Sequence, residues 1–201
     1  MTALLNEPPE LEALRVAATD RGFTMSSDNV VGRLLAVLAS TKPGGSMLEL
    51  GTGVGHGTAW LRWGLTGQAH LTTVERDREL LDVARAVLDD DRIEFVCADG
   101  ADWLTQYAGP PFDLVFADTW PGKITHLDET LALVSYAGMY VVDDLTPQPT
   151  WPPGHAADIT RFRDALRQRD DFRNVDLDAG TGMLIATRTM RESDTARAKR
   201  A

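Results

Sequence analysis

Two stretches of the chain carry residue types whose order supports chemistry. The first is Glu49-Leu50-Gly51-Thr52-Gly53-Val54-Gly55-His56-Gly57, which follows the apolar run Met47 to Leu50 and precedes the helix-compatible segment Thr58 to Leu65. Glycines at a strand-to-helix turn permit φ > 0 and let a ligand approach the backbone, so the pattern marks a nucleotide-type cofactor site. The dinucleotide fingerprint G-x-G-x-x-G fails in both frames, because its third glycine falls on His56 or on Thr58. What fits is acidic-x-Gly-x-Gly-x-Gly, Glu49 through Gly55. The second stretch is split. One apolar run ends in Phe116-Ala117-Asp118-Thr119-Trp120-Pro121-Gly122-Lys123 and the next in Val141-Val142-Asp143-Asp144. If those two strands are neighbours, Asp118, Asp143 and Asp144 share a rim with the glycine loop. Three carboxylates that close repel one another and are driven towards protonation unless a cation compensates. Oxygen ligands of this kind suit a hard divalent ion such as Mg²⁺, Mn²⁺ or Ca²⁺. Read singly, each acid is also an ordinary strand-end carboxylate or helix cap.

The elements that must position these residues recur at regular intervals. Apolar runs of four to six residues stand at Met47 to Leu50, Leu71 to Val74, Ile93 to Cys97, Leu114 to Ala117 and Met139 to Val142. Between them lie helical patterns: Asp28 to Ala39 with a cap at Ser27 or Asp28, a segment carrying Leu80, Leu81, Ala84, Val87 and Leu88, and another carrying Leu127, Leu131 and Val134. Such alternation predicts a parallel sheet buried on both faces by crossover helices. Thr146 to Gly154 holds four prolines and predicts a rim loop. A last helix over Asp158 to Arg169 precedes strands Phe172 to Leu177 and Met183 to Thr187, whose short Gly-rich link predicts an antiparallel hairpin at the sheet edge. The reading is a doubly wound α/β/α sandwich of seven strands, with residues 1–187 as one domain and 188–201 as a polar tail.

Composition limits what such a domain does. The 201 residues include 20 Lys+Arg against 30 Asp+Glu, a net charge of −10. A net −9 of this falls in residues 93–160, where Lys123 is the only base. Nucleic acid is therefore an improbable partner, since phosphate binding rests on Lys and Arg. No apolar run approaches the roughly 18 to 20 residues of a membrane span. The single cysteine, Cys97, allows no internal disulfide, and Met1 to Glu10 has no signal-peptide pattern, so a cytoplasmic protein is expected. Monomer and homodimer both stay open.

The glycine motif, Leu48-Glu49-Leu50-Gly51-Thr52-Gly53-Val54-Gly55, resembles the first motif of the class I S-adenosylmethionine-dependent methyltransferases. The resemblance covers about residues 24–187 and implies their Rossmann-like fold, with the antiparallel strand at the C-terminal end of the sheet. It implies cofactor contacts from Glu49, Gly51, Thr52, Gly53 and Gly55. Glu75, 24 residues after Gly51, stands where that family binds the ribose hydroxyls, and a carboxylate suits a diol because it accepts two hydrogen bonds at once. Asp99, Gly100 and Ala101 stand where the adenine lies, with Trp103 either beside it or in the core.

The acidic cluster is similar to that of the metal-dependent catechol-type O-methyltransferases, which bind Mg²⁺ through an Asp after strand four and an Asp-Asn pair after strand five. Asp118 and Asp143 match two ligands, and Asp144 stands where that family has Asn. Lys123 stands for its general base, five residues past Asp118 where the family has three. The implied activity is O-methylation of a small hydroxylated molecule, with Lys123 and Asp118 in the chemistry, Asp118 also at the cofactor, and Trp120, Trp151 and Pro149 to Gly154 as substrate walls. His126 and His155 read as ordinary surface histidines. Two other classes stay open: a nicotinamide-dependent oxidoreductase and a non-catalytic S-adenosylmethionine-binding protein. The base- and glutamine-methylating branch is disfavoured because Asp118-Thr119-Trp120-Pro121 lacks its Asn/Asp-Pro-Pro-aromatic motif.

Overall fold

A computed structural model describes residues 6–148 and 151–189. The strands β1 (Ser46–Leu50), β2 (His70–Glu75), β3 (Ile93–Cys97), β4 (Phe112–Ala117), β5 (Val134–Val142), β6 (Phe172–Leu177) and β7 (Met183–Arg188) form one sheet in the order β3-β2-β1-β4-β5-β7-β6. The first five are parallel, and β7 runs antiparallel to both β5 and β6. The predicted hairpin therefore inserts its second strand between β5 and the edge strand β6.

Side-chain alternation divides the core into two layers, as a sheet buried on both faces requires. Met47, Leu114, Phe116, Val141 and Met183 pack with α1 (Leu11–Asp20), α2 (Asn29–Ser40) and α3 (His56–Gly64). Leu48, Leu50, Val115, Ala117, Tyr140 and Val142 pack with α5 (Gly100–Gln106), α6 (Leu127–Ala132) and α7 (His155–Arg167). The remaining helix, α4 (Arg78–Val87), buries Leu81 and Ala84. Helices α2 and α3 approach closely because Gly32 lies against the Trp60 ring, where any β-carbon would collide with the indole.

Several boundaries differ from the sequence reading. The pattern missed α1, although Leu11, Leu14 and Ala18 form its buried face. Val134, expected on a helix, opens β5 and pairs with Phe112 of β4. Helix α7 begins three residues earlier than expected, at His155, behind Gly154 at φ +90°. Of the expected tail, Arg188 closes β7 and donates to the Ala132 and Val134 carbonyls at 3.2 and 2.7 Å, while residues 190–201 lie outside the described residues. No helix among the described residues is long and apolar enough to cross a membrane.

Candidate active site

The strand order reverses between β1 and β4, and a crevice opens at such a point beyond the carboxyl ends of parallel strands. The glycine loop sits there. Gly51, Gly53 and Gly55 have φ of +100°, +52° and +100°. A side chain at Gly51 would strike Thr119 and the Asp118 backbone, one at Gly53 the Phe23 ring, and one at Gly55 Ala84 and Leu88. Glycine is thus required twice over, by dihedral and by space. The Gly51 N–H donates to the Val74 carbonyl and the Asp118 N–H to the Leu50 carbonyl, both at 2.9 Å, which ties the ends of β1, β2 and β4 together.

Glu49 lies beneath this loop and is 1% exposed. Its Oε2 accepts the Thr58 hydroxyl at 2.5 Å and the Thr73 hydroxyl at 2.6 Å. The Thr52 hydroxyl lies 2.6 Å from that of Thr73. With the single Thr73 proton given to Glu49, Thr52 donates to Thr73, and a chain of hydroxyls joins the loop to the buried carboxyl. Burial pushes the Glu49 carboxyl up to about 7, against the two threonine bonds and with a further push from Glu75. At the end of β2, Glu75 accepts from the Gly53 N–H and the Asp77 N–H, both at 2.9 Å. One oxygen is used for each, so lone pairs remain on both for a diol. Asp99 is exposed and caps α5, accepting from the Ala101 and Asp102 N–H groups at 2.8 and 3.4 Å. Gly100 begins that helix against Pro121. Trp103 stacks on Tyr107 at 4.6 Å and tilts against Phe112, so it packs in the core layer under α5.

The acidic cluster forms at the same edge around a buried lysine. Residues 120–125 fold into a turn in which the N–H groups of Lys123, Ile124 and Thr125 converge on the Trp120 carbonyl at 2.8–3.1 Å. Gly122, at φ +92° against Leu50, lets it pass, and the Tyr140 hydroxyl donates to the Gly122 carbonyl. This carries Lys123 inward to 3% exposure, with Nζ 2.8 Å from the Asp143 carbonyl oxygen. Burial drives Asp118 well above the ordinary carboxyl range; the Lys123 charge opposes this, while Asp143, Asp144 and Glu49 add to it. Asp143, 2% exposed, is raised by burial, against hydrogen bonds from Thr181 and the Asp144 backbone, with Asp144 raising it and Lys123 lowering it. Asp144 sits at φ +60°.

A divalent cation is a poor fit to these residues. Asp143 Oδ1 accepts the Thr181 hydroxyl at 2.6 Å, and Asp118 Oδ2 accepts the Ser27 hydroxyl at 3.2 Å. Among the described residues, no three His, Cys, Asp or Glu side chains are grouped so as to hold a metal ion. The Lys123 side chain lies among these carboxyl groups, with Nζ donating to the Asp143 carbonyl.

Sequence reasoning missed five contributors. Thr58 and Thr73 hold Glu49, Ser27 holds Asp118, and Thr181 holds Asp143. Ser27 and Asp28 were equal candidates for the α2 cap; Asp28 fills that role, accepting from the Val30 N–H at 2.6 Å, and Ser27 is left to reach Asp118. The fifth is His155, which is 4% exposed, not a surface residue. Its ring stacks on Trp120 at 5.5 Å and meets the edge of Trp151 at 4.6 Å. Burial lowers its proton affinity and the Lys123 charge lowers it further, against Asp158 and Asp144. Trp151, four residues before it, was the signal available in the sequence. The ordinary reading of His126 also changes, because it precedes α6 at φ +55° with a buried Nδ1.

Comparison with known proteins agrees with this geometry. The family model of protein-L-isoaspartate (D-aspartate) O-methyltransferase matches residues 7–126. A catechol O-methyltransferase of Mycobacterium tuberculosis is 33% identical over 153 residues, covering 72% of this chain and 68% of that protein. The chain belongs to the S-adenosylmethionine-dependent O-methyltransferases. A putative O-methyltransferase of Mycobacterium marinum is 29% identical to this methyltransferase over 195 residues, 92% of this chain and 87% of that one. The crystal structure of a Bacillus cereus O-methyltransferase in complex with SAH superposes with a TM-score of 0.82 at 21% identity, covering 93% of this chain and 94% of that one. The fold is theirs. The nicotinamide alternative finds no support in any of these. The family model ends before β5, so it spans the glycine loop and leaves the rim around Asp143, His155 and Thr181 outside the match.

Proposed function

We propose that this enzyme methylates a hydroxyl group of a small, catechol-like molecule seated between the glycine loop and the Trp120, His155 and Trp151 rim. The observation that carries the reading is the joining of two half-sites at one sheet edge. Asp118 N–H is bonded to the end of β1, and its carboxyl faces the Lys123 charge. When bound, S-adenosylmethionine supplies a sulfonium methyl group; the acceptor oxygen forms the new C–O bond, and the C–S electron pair stays with sulfur. The donor would be held by Gly51, Thr52, Gly53 and Gly55, by Glu75 at the ribose, and by Asp99, Gly100 and Ala101 near the base, with Glu49 supporting the loop from below. A carboxylate whose proton affinity is raised by burial is a stronger base than an ordinary one, and Asp118 is read as the group that takes the acceptor proton. Lys123, implied as a base by resemblance, is read here as the fixed cation beside the developing oxyanion.

Support for an aromatic acceptor comes from the stacked rings of Trp120 and His155, and from the M. tuberculosis relative named for catechol. A cytoplasmic, single-domain enzyme fits Cys97 as a free thiol. The test is methyl transfer from labelled S-adenosylmethionine to a panel of catechols, monophenols and aliphatic alcohols. A methylated catechol is expected. Binding of S-adenosylhomocysteine with no methylation of any hydroxylated acceptor would overturn the proposal.

A further inference from the structure

We infer that Lys123 supplies the positive charge of the acceptor site in place of a divalent cation, so that methyl transfer by this chain needs no metal. The inference deepens the reading of an acceptor hydroxyl at this rim and rests on it. Two departures from the catechol-type pattern carry the argument together. Asp144 stands in the place of Asn, which adds one negative charge, and Lys123 stands five residues after Asp118, not three. The longer offset makes room for the 120–125 turn, whose Gly122 and Tyr140 contacts send the lysine inward. There its Nζ donates to the Asp143 carbonyl, and its charge acts on Asp118, Asp143 and His155 alike. The added carboxylate and the buried ammonium offset each other.

The carboxylates also have other partners. Asp143 is closed off by Thr181 and by the Asp144 N–H, and it is 2% exposed, so turning Oδ1 towards an ion would leave the Thr181 hydroxyl unpaired. A divalent ion entering beside the Lys123 ammonium would meet like charge across a poorly solvated gap, where such repulsion is strongest. What a metal would do for the acceptor, drawing the hydroxyl in and stabilising the oxyanion, an ammonium does as a hydrogen-bonding point charge.

The experiment pairs a binding readout with an activity readout. Mn²⁺ is titrated into the protein and followed by electron paramagnetic resonance, while methyl transfer is measured before and after dialysis against EDTA. Wild type is expected to leave the Mn²⁺ signal unchanged up to millimolar protein and to keep its activity within about twofold after EDTA. Lys123→Met is expected to lose at least a hundredfold in kcat and to bind Mn²⁺ at least tenfold more tightly, because the carboxylates are left without their cation. Lys123→Arg keeps the charge and is expected to exclude Mn²⁺ as wild type does. Micromolar Mn²⁺ binding by wild type, loss of activity in EDTA with recovery in Mg²⁺, or equal Mn²⁺ affinity in wild type and Lys123→Met would each overturn the inference. If no acceptor is found, the O-methylation reading fails by itself and the Mn²⁺ titration still decides the role of Lys123.

Discussion

Replacing Glu49 by Gln tests the buried carboxyl under the glycine loop. Glu49 is fully buried, with its proton affinity raised from 4.5 to about 7 chiefly by burial. Each pKa unit is worth about 1.4 kcal/mol, so ionising Glu49 in the folded protein costs about 3 kcal/mol more than ionising it in the unfolded chain. The sign follows from the raised value. Below pH 4.5 the carboxyl is protonated in both states and there is no penalty. Between pH 4.5 and 7 the unfolded chain releases its proton first, and the folded state loses stability as pH rises. Above pH 7 the full penalty stands. Gln is nearly isosteric, and its carbonyl oxygen accepts the Thr58 and Thr73 hydroxyls that now meet at Oε2. Glu49→Gln should therefore match wild type near pH 4.5 and exceed it by about 3 kcal/mol at pH 8. Urea denaturation at pH 4.5, 6 and 8, without cofactor, measures the difference from the transition midpoints at constant slope. A constant offset at all three pH values, or a variant that weakens relative to wild type as pH rises, would refute the reasoning.

Three further substitutions have defined outcomes. Gly51→Ala places a β-carbon against the Asp118 backbone at φ +100° and should cost about 1–3 kcal/mol in thermal denaturation, with S-adenosylhomocysteine affinity down at least tenfold by calorimetry. Glu75→Ala removes the acceptor of the Gly53 and Asp77 N–H groups; it should weaken S-adenosylhomocysteine by roughly 10- to 100-fold, the worth of hydrogen bonds to a charged group, and lower the urea midpoint through the unpaired Gly53 N–H. Gly32→Ala overpacks the Trp60 contact remote from the rim, and should lose about 1–3 kcal/mol of stability while the folded fraction binds S-adenosylhomocysteine as wild type does.

Much of the architecture was legible because it depends on local pattern. The five parallel strands read as apolar runs because most of their residues are buried, and β1, β2, β3 and β4 begin and end within two residues of the expected bounds, whereas β5 starts five residues earlier, at Val134. Helix α5 was not legible as a helix, since Gly100 lowers its local propensity and its evidence was the Asp99 cap. Val134 was misplaced because Leu127, Leu131 and Val134 fit a helical face equally well, and only pairing with Phe112 moves it into β5.

The sequence by itself determined the glycine spacing, the order of acids after successive strands and the concentration of charge in residues 93–160, because dihedral freedom, strand burial and net charge are local or additive properties. Tertiary structure alone decided what the ionisable side chains face. Glu49 turned out to be a buried support with two threonine partners, His155 a ring packed between two tryptophans, and Lys123 an interior ammonium among carboxylates. The energy of a charge depends on its burial and on neighbours distant in the chain, and those are set only when the strands are laid side by side.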